Sequence, residues 1–228
     1  MSATLPKVQE VRERIENSGP SDIRLALMAT HVLAGRVSEI IGRKSPLDNT
    51  VARGPLGMDV MLERYQVGDF DEEVAVFTLK TAKRKGRERS VALPMNEVYE
   101  PWTREIYEYF KKQGKGHVFP FTRQHLGKKA KGPFIGLQYQ ILDYTLIEEK
   151  DGLKVKTTID PHFRDFALHA LRHLRVAELF GHYGFNPLDA MYYAGWTFKG
   201  MIGGGSIMER YAHLDWRQYF PKLLKRRI

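Results

Sequence analysis

The chain has 228 residues, 43% of them hydrophobic, which suits a single domain with a sizeable core and excludes wholesale disorder. Charged residues make up 28%, no apolar run approaches the roughly 20 residues of a membrane span, and Met1-Ser-Ala-Thr-Leu-Pro6 lacks the basic-then-apolar layout of a secretion signal. The absence of cysteine excludes disulfides, thiolate-bound zinc and a cysteine nucleophile, while 36 Lys and Arg against 27 Asp and Glu give a net charge of +9, a balance that favours a polyanionic partner.

Residues 1–20 are polar and read as a short helix, Val8 to Glu16, followed by a linker. Ser21 or Asp22 is suited to cap the next helix. Ile23, Leu25, Leu27 and Met28 open its apolar stripe, and Val32, Leu33, Val37, Ile40 and Ile41 continue it. Gly35 within that run signals a break or a close backbone approach. Met58 to Tyr65, Glu73 to Lys80 and Glu88 to Leu93 read as three strands of a small antiparallel sheet with a basic hairpin tip. Asn96 or Glu97 to Lys112 keeps helical spacing through Val98, Trp102, Ile106, Tyr109 and Phe110. Leu142 to Thr158 suggests a hairpin around Lys150-Asp151-Gly152. Phe163 to Tyr183 and Pro187 to Ala194 read as helices, and a short helix over Met208 to His213 follows a glycine-rich stretch. The expected class is α+β, mostly helical with a small three-stranded antiparallel sheet. Residues 21–216 form the main domain and 217–228 a basic tail with an apolar face.

The basic residues are segregated. Lys80 to Arg89, Phe110 to Leu142 and Arg217 to Ile228 together hold half of the basic residues and one acid, Glu88. A merely solvated surface mixes the signs, whereas a cationic face that tracks a phosphate backbone does not. On this reading Lys80, Arg84, Arg87, Lys128, Lys129 and Lys131 are candidate nucleic-acid contacts.

Four places carry side chains suited to chemistry. They are Ala34-Gly-Arg36-Val-Ser-Glu39-Ile40, the lysines Lys80, Lys83 and Lys85, Leu168-His169-Ala-Leu-Arg172-His173, and Gly195-Trp196 followed by Glu209-Arg-Tyr211-Ala-His-Leu214. Each alone has a bland reading. Arg36 and Glu39 can be a surface i,i+3 pair, the lysines a solvated turn, and Trp196 and Tyr211 packing residues. His169 and His173 at i,i+4 are a weak metal pair without the intervening carboxylate of a zinc helix. Taken in order, the set closely resembles the catalytic domain of the tyrosine recombinases, the phage-integrase family. The resemblance covers roughly Ser21 to Asp215, with little to anchor it between Phe110 and Asp160.

The resemblance implies cleavage and rejoining of DNA strands through a 3′-phosphotyrosyl intermediate, without metal, ATP or any other cofactor. Arg36 and Arg172 would bind the non-bridging phosphate oxygens as permanently charged forks. His169 would assist proton transfer, Trp196 would donate its indole N–H, and Tyr211 would be the nucleophile. Lys83, or alternatively Lys85, would protonate the departing 5′-oxygen. Glu39 and His173 would support these groups from behind. The span from Trp196 to Tyr211 holds Gly200, Gly203, Gly204 and Gly205 and is expected to let the tyrosine reach its own site or a neighbour's. The family usually carries a helical DNA-binding domain ahead of its first box, so strand cleavage is a firmer expectation for this chain than site-specific recombination. Double-stranded DNA, a homotetramer on DNA, no membrane, and a cytoplasmic, nucleoid-associated location complete the implied picture. A topoisomerase of the same fold would use the same residues, and a non-catalytic DNA-binding module would keep only the basic face.

Overall fold

The computed structural model describes residues 2–44, 51–68, 70–80, 88–142, 144–150, 153–159, 162–196 and 215–226. These form an α+β arrangement built around one long apolar helix. After strand β1 (Ser2–Thr4), helix α1 (Val8–Glu16) leads into α2 (Ser21–Val32). Pro20 occupies the N-cap of α2, where its fixed φ is already suitable and its missing N–H is no loss. From Leu25 to Val32 every residue of α2 is buried, the mark of a helix surrounded on all sides. It lies against α1, α4 (Thr103–Gln113), α5 (Arg123–Ala130) and α6 (Leu168–Gly181).

The end of α2 determines where Arg36 sits. The N–H of Ala34 reaches the His31 carbonyl at 2.9 Å and that of Gly35 reaches Thr30 at 3.1 Å, a Schellman closure. The left-handed position is held by Ala34, at φ 44°, rather than by the glycine beside it. Gly35 is needed for space: a Cβ there would lie 2.6 Å from the side chain of Ile40. The apolar stripe expected to run unbroken to Ile41 is therefore interrupted. Arg36 is extended, at φ −67° and ψ 144°, and caps a separate single-turn helix, α3 (Val37–Ile40).

Strands β4 (Val60–Val67), β5 (Phe70–Lys80) and β6 (Glu88–Pro94) form an antiparallel sheet in the order β4-β5-β6, the sheet expected from the sequence. Val74 to Phe77 on β5 are all buried, since helices cover both faces. Phe77 meets Phe110 of α4 edge-on at 5.1 Å, and β6 carries α7 (Pro187–Ala194) and α8 (Trp216–Leu223). The chain has more strand than expected. Strand β2 (Gly42–Lys44) pairs with β3 (Val51–Arg53), and β1 with β7 (Gln138–Leu142), which also pairs with β10 (His162–Asp165). Strands β8 (Tyr144–Lys150) and β9 (Leu153–Ile159) form the expected hairpin, with Lys150 opposite Leu153. Phe163 belongs to β10 rather than to the helix after it, and α4 begins at Thr103 rather than near Asn96.

Both ends of the chain differ from expectation. At the N-terminus the helix expected over Val8 to Glu16 is present with those bounds, but it is built into the core: Val11 and Ile15 are fully buried, Arg12 is 4% exposed, and Trp102 donates its indole N–H to Glu16 at 2.8 Å. The segment after Arg217 is not a free basic tail. On α8, Trp216, Tyr219, Phe220 and Leu223 are buried, and the Tyr219 hydroxyl accepts the Ala92 N–H of edge strand β6 at 2.9 Å. Lys222 pairs with Asp189 of α7. The apolar face of the tail packs within its own chain.

A buried ionic cluster joins α1 to α6. Glu178 accepts from Arg12 and from Arg175, both at 2.7 Å, and Glu100 lies 3.3 Å from Arg175 and 3.6 Å from Arg12. His31 is buried beside it, with Nδ1 3.2 Å from the Leu171 carbonyl and Nε2 3.6 Å from Glu178. Burial holds the His31 pKa below its usual value. The unfolded chain therefore takes up a proton near pH 6.5 that the native state refuses. The His31 contribution is complete above that pH and declines below it, by about 1.4 kcal/mol per pH unit. Urea titrations between about pH 7.5 and 5.5 should show this loss, and His31→Gln should make it shallower.

Candidate active site

Three arginines from three elements converge on one carboxylate. Glu39, whose side chain is fully buried on α3, accepts the Arg36 backbone N–H at 3.0 Å and the Arg36 guanidinium at 2.7 Å. The i,i+3 pair read from the sequence exists, but its acid lies beneath the surface. Arg172 on α6 is 2% exposed. It donates to the carbonyls of Ala34 at 2.8 Å and Ala194 at 2.6 Å, and stands 3.6 Å from Glu39. Arg89 on β6 donates to the carbonyls of Leu33 at 3.0 Å and of Tyr193, and lies 3.4 Å from Glu39.

Trp196 follows α7 directly. Gly195 closes that helix at φ 65°, a left-handed cap that costs a Cβ-bearing residue roughly 1–2 kcal/mol. The turn sets Trp196 against Arg172, with the guanidinium carbon 5.7 Å from the ring centroid. His169, in the first turn of α6, is exposed. It meets the exposed His173 edge-on at 4.7 Å.

A cleft of about 970 Å³ opens above this cluster. Arg36 and His169 line it together with Arg123, Lys131, Phe134 and the start of α6. Backbone N–H groups at a helix start are suited to an anion. Arg172 is not a lining residue; it lies one layer below Arg36, with two of its donors taken by carbonyls.

The electrostatics derive from burial and crowding. Burial alone would push the Glu39 pKa up, but Arg89, Arg36 and Arg172 outweigh it and hold the carboxyl below its usual range. Burial, then the nearby Arg89 and Arg36, lowers Arg172 to about 9. Burial, His173, Arg172 and Arg36 keep His169 below its usual value, so its imidazole is neutral at pH 7 and can accept a proton. Among the described residues Glu39 is the one carboxylate paired with these three guanidiniums, leaving a positive excess beneath a cleft that Arg36 lines together with Asp165. Such a floor can bind a phosphate and stabilise charge developing on its oxygens.

Arg36, Glu39, His169, Arg172, His173 and Trp196 are thus brought together. Lys80 is exposed at the end of β5, and Lys128, Lys129 and Lys131 are exposed on or just after α5. Lys83, Arg84, Lys85, Arg87, Tyr211 and the short helix expected over Met208 to His213 lie outside the described residues. Arg89 is the side chain that sequence reasoning misplaced. Its neighbours make it one of an exposed basic hairpin, yet it is 5% exposed. Strand alternation gives the signal: Arg89 shares a face of β6 with the buried Val91 and Leu93.

Among the described residues, no group of three or more His, Asp or Glu could hold a metal ion, and no helix is long and apolar enough to cross a membrane. Comparison of the chain with protein-family models, with curated proteins and with solved structures finds no match.

Proposed function

We propose that the chain is a DNA strand transferase of the tyrosine-recombinase type, with the corresponding catalytic-domain fold. The observation that carries this reading is the gathering of Arg36 and Arg172 by Glu39 beneath a basic cleft that also holds His169. In the proposed reaction the Tyr211 oxygen attacks the scissile phosphorus in line, and the bond to the 5′-oxygen breaks. Neutral His169 takes up the phenol proton, directly or through the phosphate. Lys83 or Lys85 gives a proton to the leaving oxygen, and rejoining reverses both transfers. Arg36 balances charge on the non-bridging oxygens, such a donor being worth about 3 kcal/mol in the barrier, while Arg172, buried behind it, adds its charge without lining the cleft. The 3′-phosphotyrosyl bond conserves the energy of the phosphodiester, so resealing needs no ATP. Duplex DNA is the substrate, bound by Arg123, Lys128, Lys129 and Lys131 around the cleft, with a homotetramer on DNA as the working assembly.

The test is a pool of nicked duplexes with randomised flanks, incubated with the protein and resolved on a denaturing gel. A covalent adduct mapped to Tyr211 is the expected result. Tyr211→Phe should abolish it while leaving duplex affinity within about twofold, and that affinity should fall by about 0.9 log unit per log unit of salt for each phosphate neutralised. No adduct, or one on another side chain, would falsify the proposal.

A further inference from the structure

Arg89 cannot touch a molecule in the cleft, yet it is bonded to the two segments that lead into Arg36 and Trp196 and to the carboxylate that holds Arg36. Its Nη2 reaches the carbonyls of Leu33 at 3.0 Å and Ala34 at 3.4 Å, just past the end of α2, together with Glu39 at 3.4 Å. Its Nη1 reaches the Tyr193 carbonyl in the last turn of α7. Arg172 makes a parallel bridge one residue along, from Ala34 to Ala194. Two guanidiniums therefore cross-link the C-terminal ends of α2 and α7, where unpaired carbonyls and the helix dipoles favour a cation. The shared Ala34 carbonyl is aimed by the left-handed backbone at φ 44°. Arg36 leaves the first of these ends two residues on, and Trp196 leaves the second two residues on.

We infer that Arg89 is a positioning residue of this site: a buried third arginine that fixes Arg36, Arg172 and Trp196 around Glu39 and supplies positive charge to an anion it never contacts. The inference rests on the proposed phosphoryl-transfer function and extends it. Three cations facing one carboxylate are mutually repulsive when the site is empty. A bound phosphate relieves that repulsion, and relieves it most when charge concentrates on its oxygens in the transition state. A lysine at this position would keep the charge. It would lose the fork that spans the two helix ends, because one ammonium cannot reach both sets of carbonyls in the guanidinium's fixed geometry.

The experiment compares wild type, Arg89→Lys and Arg89→Met in single-turnover cleavage of the nicked duplex recovered by wild type. One substrate carries the ordinary scissile phosphodiester and a second an uncharged methylphosphonate. Arg89→Lys should cleave the phosphodiester at least tenfold more slowly, with duplex affinity within threefold of wild type. Its deficit should shrink on the methylphosphonate, which has no charge for the arginines to balance. Arg89→Met should be slower still on the phosphodiester. Cleavage by Arg89→Lys within threefold of wild type, an equal deficit on both substrates, or failure of Arg89→Lys to fold overturns the inference and leaves the proposed function standing. Absence of any adduct with wild type overturns the proposed function, and the role of Arg89 with it.

Discussion

Glu39→Gln is expected to lower the unfolding free energy by about 3–5 kcal/mol, the usual loss when one member of a buried ion pair is neutralised and its partners are left charged. The amide keeps the shape of the side chain and can still accept one bond from Arg36. It cannot balance Arg89 and Arg172, which are 5% and 2% exposed, and its own N–H donors face theirs. Global stabilities of about 5–15 kcal/mol make this a large fraction of the whole. The carboxylate is held below its usual range, so the wild-type advantage is complete above about pH 4.5 and is lost as the pH falls through the native pKa. Urea unfolding of Glu39→Gln, Arg89→Met and the double variant at neutral pH measures the effect. A coupling of about 1–3 kcal/mol is expected, since removing a cation along with the anion leaves less charge unpaired. A Glu39→Gln protein within about 1 kcal/mol of wild type would mean that the carbonyls of Leu33, Ala34, Tyr193 and Ala194 suffice to hold the cations.

Long periodic elements are legible in the sequence and short ones are opaque. Helix α1 and strands β4 to β6 can be read from apolar spacing and β-branched content, as can the hairpin of β8 and β9. So can α7, which Pro187 and the Asn186–Asp189 capping box begin and Gly195 ends. Strands of three to five residues such as β1, β2 and β3 show no period, and sequence spacing does not reveal a distant partner; Ser2 pairs with Leu142. The site is half legible for a related reason. Arg36, Glu39, His169 and Arg172 stand in local patterns, but depth is not a local property. Glu39 reads as a surface partner until Arg89, fifty residues on, covers it. Arg89 in turn reads as one of six basic residues on a hairpin until strand register turns it inward. Composition also misleads at the ends: the helix over Val8 to Glu16 is legible, but its polar composition hides that Val11, Arg12 and Ile15 form one face buried in the core.

That face leads to the other large expected effect: a chain beginning at Pro20 should lose its cooperative unfolding transition. Burial of Val11 and Ile15 contributes about 1.5–3 kcal/mol each. Their loss would also open the buried cluster, taking Arg12 from Glu178 and Glu100 and removing the Glu16 acceptor from Trp102. An uncompensated buried carboxylate adds about 3–5 kcal/mol, and together these losses match the full stability of a domain. Arg12→Met isolates the electrostatic part. It retains an apolar stem over Trp102, where the guanidinium now sits 5.2 Å from the ring centroid, yet should still cost about 3 kcal/mol because Glu178 loses one of its two arginines. Near-ultraviolet circular dichroism and urea unfolding distinguish the outcomes. Unchanged signals in the shortened chain would show that α1 rests on the domain without supporting it. A native transition in Arg12→Met at wild-type denaturant concentration would show that the two carboxylates do not need a second arginine. Because Arg175 follows Arg172 by one turn on α6, either result bears on how firmly the floor of the cleft is held.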